Sequence, residues 1–296
     1  MKIEEADAFC RRIAHQHGAN FSVGFRFLPP VKRRAVYAAY AFCRVADDIA
    51  DEGLTVIPGQ PEGTAEDSAE TRMRNLDAWQ QELEACYENR PSHPITIALA
   101  EALRHFEIPK KAFIALIDGC RLDMVKTRYE TFDELLHYCE LVAASISDIS
   151  LSIFGYRSPA AIGHGRDLST ALQLTNVTRD IGDDLTRDRV YLPQEELRRF
   201  GVSEADLFAR VEGPAMKGLI EFQIDRAEGY FRRAEPLLRE LSWDARFPTL
   251  LMGGVYATVL SKLRKDPLMP IRRRLSLTPL QKALVIGSRV LHPHFV

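Results

Sequence analysis

Residues 172–193 restrict the folding of this chain most: Leu-Gln-Leu-Thr-Asn-Val-Thr-Arg-Asp-Ile-Gly-Asp-Asp-Leu-Thr-Arg-Asp-Arg-Val-Tyr-Leu-Pro. Wound as a helix at about 100° per residue, they put Gln173, Asn176, Asp180 and Asp184 in one stripe about 80° wide. Asp183 flanks that stripe, and apolar residues fill much of the remaining surface up to Ile181. The stripe is therefore expected inside the protein; a solvated helix face is the plain alternative. Carboxylates aligned in a partly dry place repel, at roughly 4 kcal/mol per pair for about 4 Å and an effective dielectric near 20. Hard divalent cations with oxygen ligands offset such repulsion.

A second stretch of the same kind lies upstream at 37–52, Tyr-Ala-Ala-Tyr-Ala-Phe-Cys-Arg-Val-Ala-Asp-Asp-Ile-Ala-Asp-Glu. A helix there gathers Tyr37, Tyr40, Arg44, Asp47, Asp48 and Asp51 within about 100°. Ala38, Ala39, Ala41, Phe42 and Ala46 lie round the other sides, where they can pack closely. Two such helices facing each other across a cavity would hold several Mg²⁺ ions. Mg²⁺ takes one or two carboxylates per ion and completes its shell with water and phosphate oxygens, so the ligand expected is a diphosphate.

Together, Asp47-Asp-Ile-Ala-Asp-Glu52 and the stretch from Gln173 to Pro193 resemble the two aspartate-rich signatures of the squalene and phytoene synthase family. The resemblance runs from Asn20-Phe-Ser-Val-Gly-Phe-Arg-Phe-Leu-Pro29 to the tail around Arg272-Arg-Arg274. It implies an all-α isoprenoid-synthase bundle around a central active-site cavity, with two or three Mg²⁺ ions. It also implies head-to-head joining of two prenyl diphosphates. Arg189 and Tyr191 enter as diphosphate-binding residues through the family pattern, and Asp123 and Arg128-Tyr129 match a further family element loosely. Tyr138 matches a cavity-lining tyrosine; a core tyrosine is the plain alternative. One segment departs from the pattern: His17-Gly-Ala-Asn-Phe21 stands where many relatives carry a His-Ser-Lys-Ser-Phe-like run, so a cation and a hydroxyl are missing.

On these grounds Asp47, Asp48 and Asp51 are assigned to one metal group, and Asn176, Asp180 and Asp184 to the other. Arg44, Arg179 and Arg189 are the candidate phosphate donors, and Gln173 is a polar cavity residue. Tyr40, Tyr138 and Tyr256 are placed to stabilise a carbocation by their π-faces. Asn20-Phe21, Ala46–Glu52 and Phe200-Gly-Val look most like the bacterial hopanoid-pathway squalene type, which points to farnesyl diphosphate and to presqualene diphosphate, squalene or hydroxysqualene. Phytoene or dehydrosqualene synthesis is the alternative, and a non-catalytic assembly factor of the same fold is a third reading that two intact signatures disfavour. No nicotinamide motif is visible, although squalene synthases elsewhere use NADPH without one.

The rest of the chain is consistent with one domain over 1–296. A length of 296 residues with 46% hydrophobic content is enough for a large core. A net charge of −2 gives no general attraction to nucleic acid. Five scattered cysteines without a Cys-x-x-Cys pair suggest reduced thiols and a cytoplasmic protein. No apolar run is long enough to span a membrane; peripheral contact with a membrane surface through a greasy substrate is left open by the composition. Helical periodicity covers 3–18, 70–90, 95–106, 110–126 and 132–154, the last capped by Thr131. It resumes over 194–200, 204–212, 214–241 (with Pro236 as an interruption) and 248–264. Residues 54–71 read as a mobile loop, and Gly163-His-Gly165 as a turn or helix start.

Overall fold

The computed structural model describes residues 1–17, 22–53, 68–278, 280–281, 284–285, 287–288 and 294–295. Among these residues there is no strand, only two isolated bridges, Arg128 with Val190 and Tyr156 with Leu241. The helices begin with α1 Ile3–His17, α2 Ser22–Phe25, α3 Pro30–Glu52, α4 Ala69–Tyr87, α5 Pro94–Leu103 and α6 Lys110–Val125. There follow α7 Phe132–Cys139, a π-helical segment Glu140–Ala144, α8 Ser145–Phe154, α9 Ala160–Arg179 and α10 Ile181–Leu185. The last are α11 Gln194–Phe200, α12 Glu204–Phe208, α13 Pro214–Ala234, α14 Leu237–Glu240, α15 Trp243–Lys265 and α16 Met269–Arg272. The all-α expectation holds.

Two compact units are present: 1–125 with 145–157 and 241–248, and 126–144 with 158–240 and 249–296. The chain passes from one to the other five times. That leaves no single linker of the kind independent domains need, and we propose one domain.

In the first unit α3 is the central rod, packed by α1, α4, α5, α6 and α8. Pro30 opens it at a position where the missing N–H costs nothing. Gly53, in the left-handed region at φ 66°, closes it by donating its N–H to the Asp48 carbonyl. Ala35, Ala38, Ala39, Ala41 and Ala46 are buried, and their small side chains let neighbouring helices come close. Trp79 of α4 stacks on Phe42 at 4.8 Å and donates its Nε1–H to the Phe42 carbonyl at 3.2 Å, fixing α4 against α3.

In the second unit α9 packs against α13, α7, the π-helical segment and α14. Leu168, Ala171, Leu172, Leu174 and Val177 are buried, and the hydroxyls of Thr175 and Thr178 are satisfied by the carbonyls four residues back, at 2.7 Å each. Such bonds are how a polar residue fits a helix packed on most sides.

Several sequence expectations need correction. The helix read through Asp184 breaks at Asp180, which has φ −99° and ψ 8° and ends α9 before α10 begins. Its N–H still donates to the Asn176 carbonyl at 2.8 Å, and its own carbonyl accepts from Asp184 at 2.9 Å. Hydrogen bonding four residues apart therefore survives the break. The 132–154 helix carries one π-helical turn, which hydrophobic spacing alone does not reveal. Of the two readings of Gly163-His-Gly165, the helix start is the nearer: both glycines lie in the opening turns of α9, which begins three residues before Gly163, at Ala160. The 204–212 helix stops at Phe208, and Arg210 takes a positive φ of 53°. The 248–264 helix starts earlier, at Trp243. Of the expected 54–71 loop, Ser68 caps α4 and Ala69–Thr71 are helical, while 54–67 lie outside the described residues. So do Asn20 and Phe21 of the departing segment.

Candidate active site

The first group of candidate residues sits on the C-terminal half of α3. One face of that helix carries Tyr40, Arg44, Asp47, Asp48 and Asp51 in the expected spacing. Arg44 reaches Asp47 Oδ2 at 3.4 Å and forms a closer ion pair with Asp48. The Arg44 Nε is buried without a hydrogen-bond partner among the described residues. Asp48 is buried, whereas the Asp47 side chain is 59% exposed. Even so, the Asp47 carboxyl is pushed up to about 6, first by desolvation and then by the charge of Asp51, with Arg44 pulling the other way. Asp48 and Asp123 add further negative charge. Water reaches Asp47, but packed protein and other acids hem it in, and a cation would relieve it. Burial raises the Tyr40 hydroxyl to about 12, with Arg44 as the largest opposing charge. Its ring lies 6.5 Å from that of Phe25.

The second group sits where α9 passes into α10. Asn176 Nδ2 donates to Gln173 Oε1 at 3.4 Å, but Asn176 Oδ1 is buried without a hydrogen-bond partner among the described residues. Arg179 grips the neighbouring Asp180 carboxylate with two bonds, Nε at 2.7 Å and Nη2 at 2.5 Å. Arg274 reaches the same carboxylate from beyond α16, at 2.9 Å and 3.3 Å, and lies 3.7 Å from Asp183. Tyr256 of α15 is buried; desolvation raises its hydroxyl, opposed first by the Arg179 charge and then by a hydrogen bond from Asn176. Arg179 donates to it as well. Tyr256 thus engages the second signature with its hydroxyl, a polar role that the π-face expectation did not include.

Beyond α10 the chain turns at Asp188, which takes φ 55°. Arg187 and Arg189 both donate their N–H groups to the Asp184 carbonyl at 3.0 Å. Val190 N–H then bonds to the Thr127 carbonyl at 2.9 Å. Arg128 fixes this turn, with Nη2 on Asp188 Oδ1 at 2.7 Å and Nε on both Glu204 oxygens at 2.9 Å. Tyr191 stacks on Tyr138 at 5.4 Å and on Tyr129 at 5.7 Å. Tyr138, Tyr191 and Tyr129 are therefore one aromatic cluster.

Sequence reasoning missed the Arg274–Asp180 pairing. The basic tail was visible, but nothing in the sequence links residues 94 positions apart. Gly182 is the only local hint: a Cβ there would stand 2.7 Å from the Pro270 carbonyl oxygen, so glycine lets α16 approach α10 and bring Arg274 along.

Both groups fit Mg²⁺ by their donor chemistry. They offer carboxylate and amide oxygens, including the buried Asn176 Oδ1, and Asp47 carries a charge that Arg44 only partly offsets. Among the described residues no three acids, histidines or cysteines close up into a ready-made metal nest. Mg²⁺ does not require one, because water and phosphate oxygens fill most of its shell.

A squalene/phytoene synthase profile matches residues 14–281. A 15-cis-phytoene synthase of Synechococcus elongatus is 33% identical over 92% of this chain and 88% of its own length. A phytoene synthase of Mycobacterium bovis is 35% identical over 97% and 91%. Among solved structures, a dehydrosqualene synthase in complex with a ligand matches with a TM-score of 0.85 and 25% identity, over 98% of this chain and 97% of that one. Squalene synthase HpnC from Alicyclobacillus acidocaldarius matches at 0.80 and 29%, over 89% and 95%. The chain belongs to the squalene/phytoene synthase family, metal-dependent prenyltransferases that join two prenyl diphosphates head to head.

Proposed function

We propose that this protein condenses two molecules of farnesyl diphosphate, 1′ to 1, towards presqualene diphosphate and squalene or hydroxysqualene. The observation that carries the chemistry is the second group: a buried amide oxygen without a hydrogen-bond partner among the described residues, beside a carboxylate held between two guanidiniums. Oxygen donors and arginines interleaved in this way suit a metal-bound diphosphate. Mg²⁺ bound there supplies positive charge to the departing diphosphate oxygens. Asp47, Asp48 and Asp51 would hold one metal group, and Asn176, Asp180 and Asp184 the other. Arg44, Arg179 and Arg189 would donate to the diphosphate, with Tyr191 assigned there by the family pattern, and the pairing of Arg274 with Asp180 supports adding Arg274. Tyr256 orients Asn176 and Arg179 through its hydroxyl. Tyr40, Tyr138 and Gln173 are the residues we assign to the allylic chain, since aromatic faces favour developing positive charge and apolar surroundings keep water from quenching it.

A second reading, condensation of two geranylgeranyl diphosphates to phytoene, is favoured by the curated relatives, several of which are named phytoene synthases. Purified protein incubated with Mg²⁺ and farnesyl or geranylgeranyl diphosphate, with and without NADPH, separates the two by the mass of the hydrocarbon. A C30 product supports the first reading, and a C40 product replaces it with the second. No condensation from either substrate overturns both.

A further inference from the structure

The first unit carries a surface that the proposed reaction does not use. Four large apolar side chains stand open to solvent there: Trp243 at 78%, Phe27 at 56%, Tyr156 at 42% and Val31 at 40%. They belong to one area. The Phe27 ring meets Phe247 edge-on at 4.8 Å, and Trp243 lies one helical turn before Phe247 on α15. Tyr156 is bridged to Leu241, two residues before Trp243. Val31 follows Phe27 by four positions, at the first turn of α3. Three segments build the area, 24–34, 155–157 and 241–248. They carry Arg26, Lys32, Arg33, Arg34, Arg157 and Arg246 against one acid, Asp244. Lys32 holds that acid at 2.8 Å, and Arg34 meets Asp7 of α1 at 3.5 Å; with both acids paired, the area is still a net cationic rim around apolar rings in a chain whose net charge is −2.

We propose that this surface docks the protein on an anionic lipid bilayer. Tryptophan and tyrosine favour the headgroup boundary, and arginines set among them attract anionic lipids. The placement of the acids agrees. Asp47 lies sixteen residues beyond Val31 on the same α3 rod, about 24 Å along its axis. That is several times the screening length of about 8 Å at physiological salt, so the carboxylates do not oppose docking. The assignment rests on these residues alone. The proposed reaction adds a purpose, since a long hydrocarbon product needs a lipid phase to enter, but binding is measured without turnover.

The chain holds its own optical probe. It has two tryptophans; Trp79 is buried, so a change in emission on binding reports Trp243. The full chain is mixed with vesicles of phosphatidylcholine containing about a third phosphatidylglycerol, and with pure phosphatidylcholine. Co-sedimentation with the anionic vesicles and a blue shift of the emission are expected. Trp243→Ser, at a site too exposed to matter for folding, should weaken binding about tenfold. Arg26→Gln and Arg33→Gln should each weaken it about fivefold on anionic vesicles only. Thermal melts of the variants should match the parent. Absence of sedimentation, or sedimentation unchanged by Trp243→Ser, overturns the proposal. So does a concentration-dependent dimer that Trp243→Ser dissolves, since the surface would then belong to a second copy. None of these outcomes bears on whether prenyl diphosphates are condensed.

Discussion

Replacing Asp47 by asparagine should make the metal-free protein more stable. The carboxyl is pushed from 3.8 up to about 6, chiefly by desolvation and by Asp51. A shift of about two pKa units corresponds to about 3 kcal/mol between protonation states. The side chain is 59% exposed, however, and solvent screening reduces the usable figure to about 1 kcal/mol. The loss of the Arg44 contact is already contained in the net shift, because Arg44 acts against the rise. The sign follows from which state binds the proton more tightly. The folded protein holds it up to about pH 6, while the unfolded chain releases it near 3.8. The penalty is therefore absent below about pH 4, grows between about 4 and 6, and is complete above. Urea unfolding in EDTA at pH 7.5 should show Asp47→Asn more stable by about 1 kcal/mol, or about 2 °C in a thermal melt. At a pH below about 4 the two proteins should coincide. Saturating Mg²⁺ should then stabilise the parent more than the variant, and reverse the order. Equal stability at pH 7.5, or the same gain at both pH values, would refute the account of Asp47 as an only partly compensated charge.

Other consequences can be checked with fewer measurements. Asn176→Ala removes the unpartnered oxygen, so the Mg²⁺ needed for half-maximal product formation should rise at least about tenfold, with little change in melting temperature. Gly182→Ala forces a Cβ against the Pro270 carbonyl oxygen at 2.7 Å; it should cost about 1–3 kcal/mol in urea unfolding and reduce turnover, although every acid is intact. Arg274→Gln should raise the KM for the prenyl diphosphate more than it lowers kcat, if the guanidinium serves the diphosphate. Chelation by EDTA should abolish product formation and Mg²⁺ restore it; activity that survives exhaustive chelation would remove the metal from the proposal.

Much of the fold could be read from periodicity, because long helices with regular apolar spacing leave little choice. The two acidic stretches were visible for the same reason: a helix turns local spacing into a shared face, so Arg44, Asp47 and Asp48 met as expected. What escaped were features set by contacts distant in sequence or by departures from regular winding. The break at Asp180 depends on local backbone angles that no side-chain pattern encodes. The π-helical turn at Glu140–Ala144 leaves the hydrophobic pattern almost unchanged. Tyr191 was assigned to diphosphate through family likeness, and its stacking on Tyr138 and Tyr129 requires three separate segments to converge. Arg274 was hidden among basic tail residues until Gly182 and α16 were seen together.

The two sets of acids differ in how they are neutralised. Asp180 is clasped by Arg179 and Arg274, whereas Asp47 has only a long contact to Arg44 and the company of other acids. A chelated protein is consequently not stressed evenly. The carboxylate near the C-terminal arginines brings its own counterions and tolerates the loss of magnesium. Asp47 on α3 has no comparable clasp, and strain from metal depletion concentrates on it.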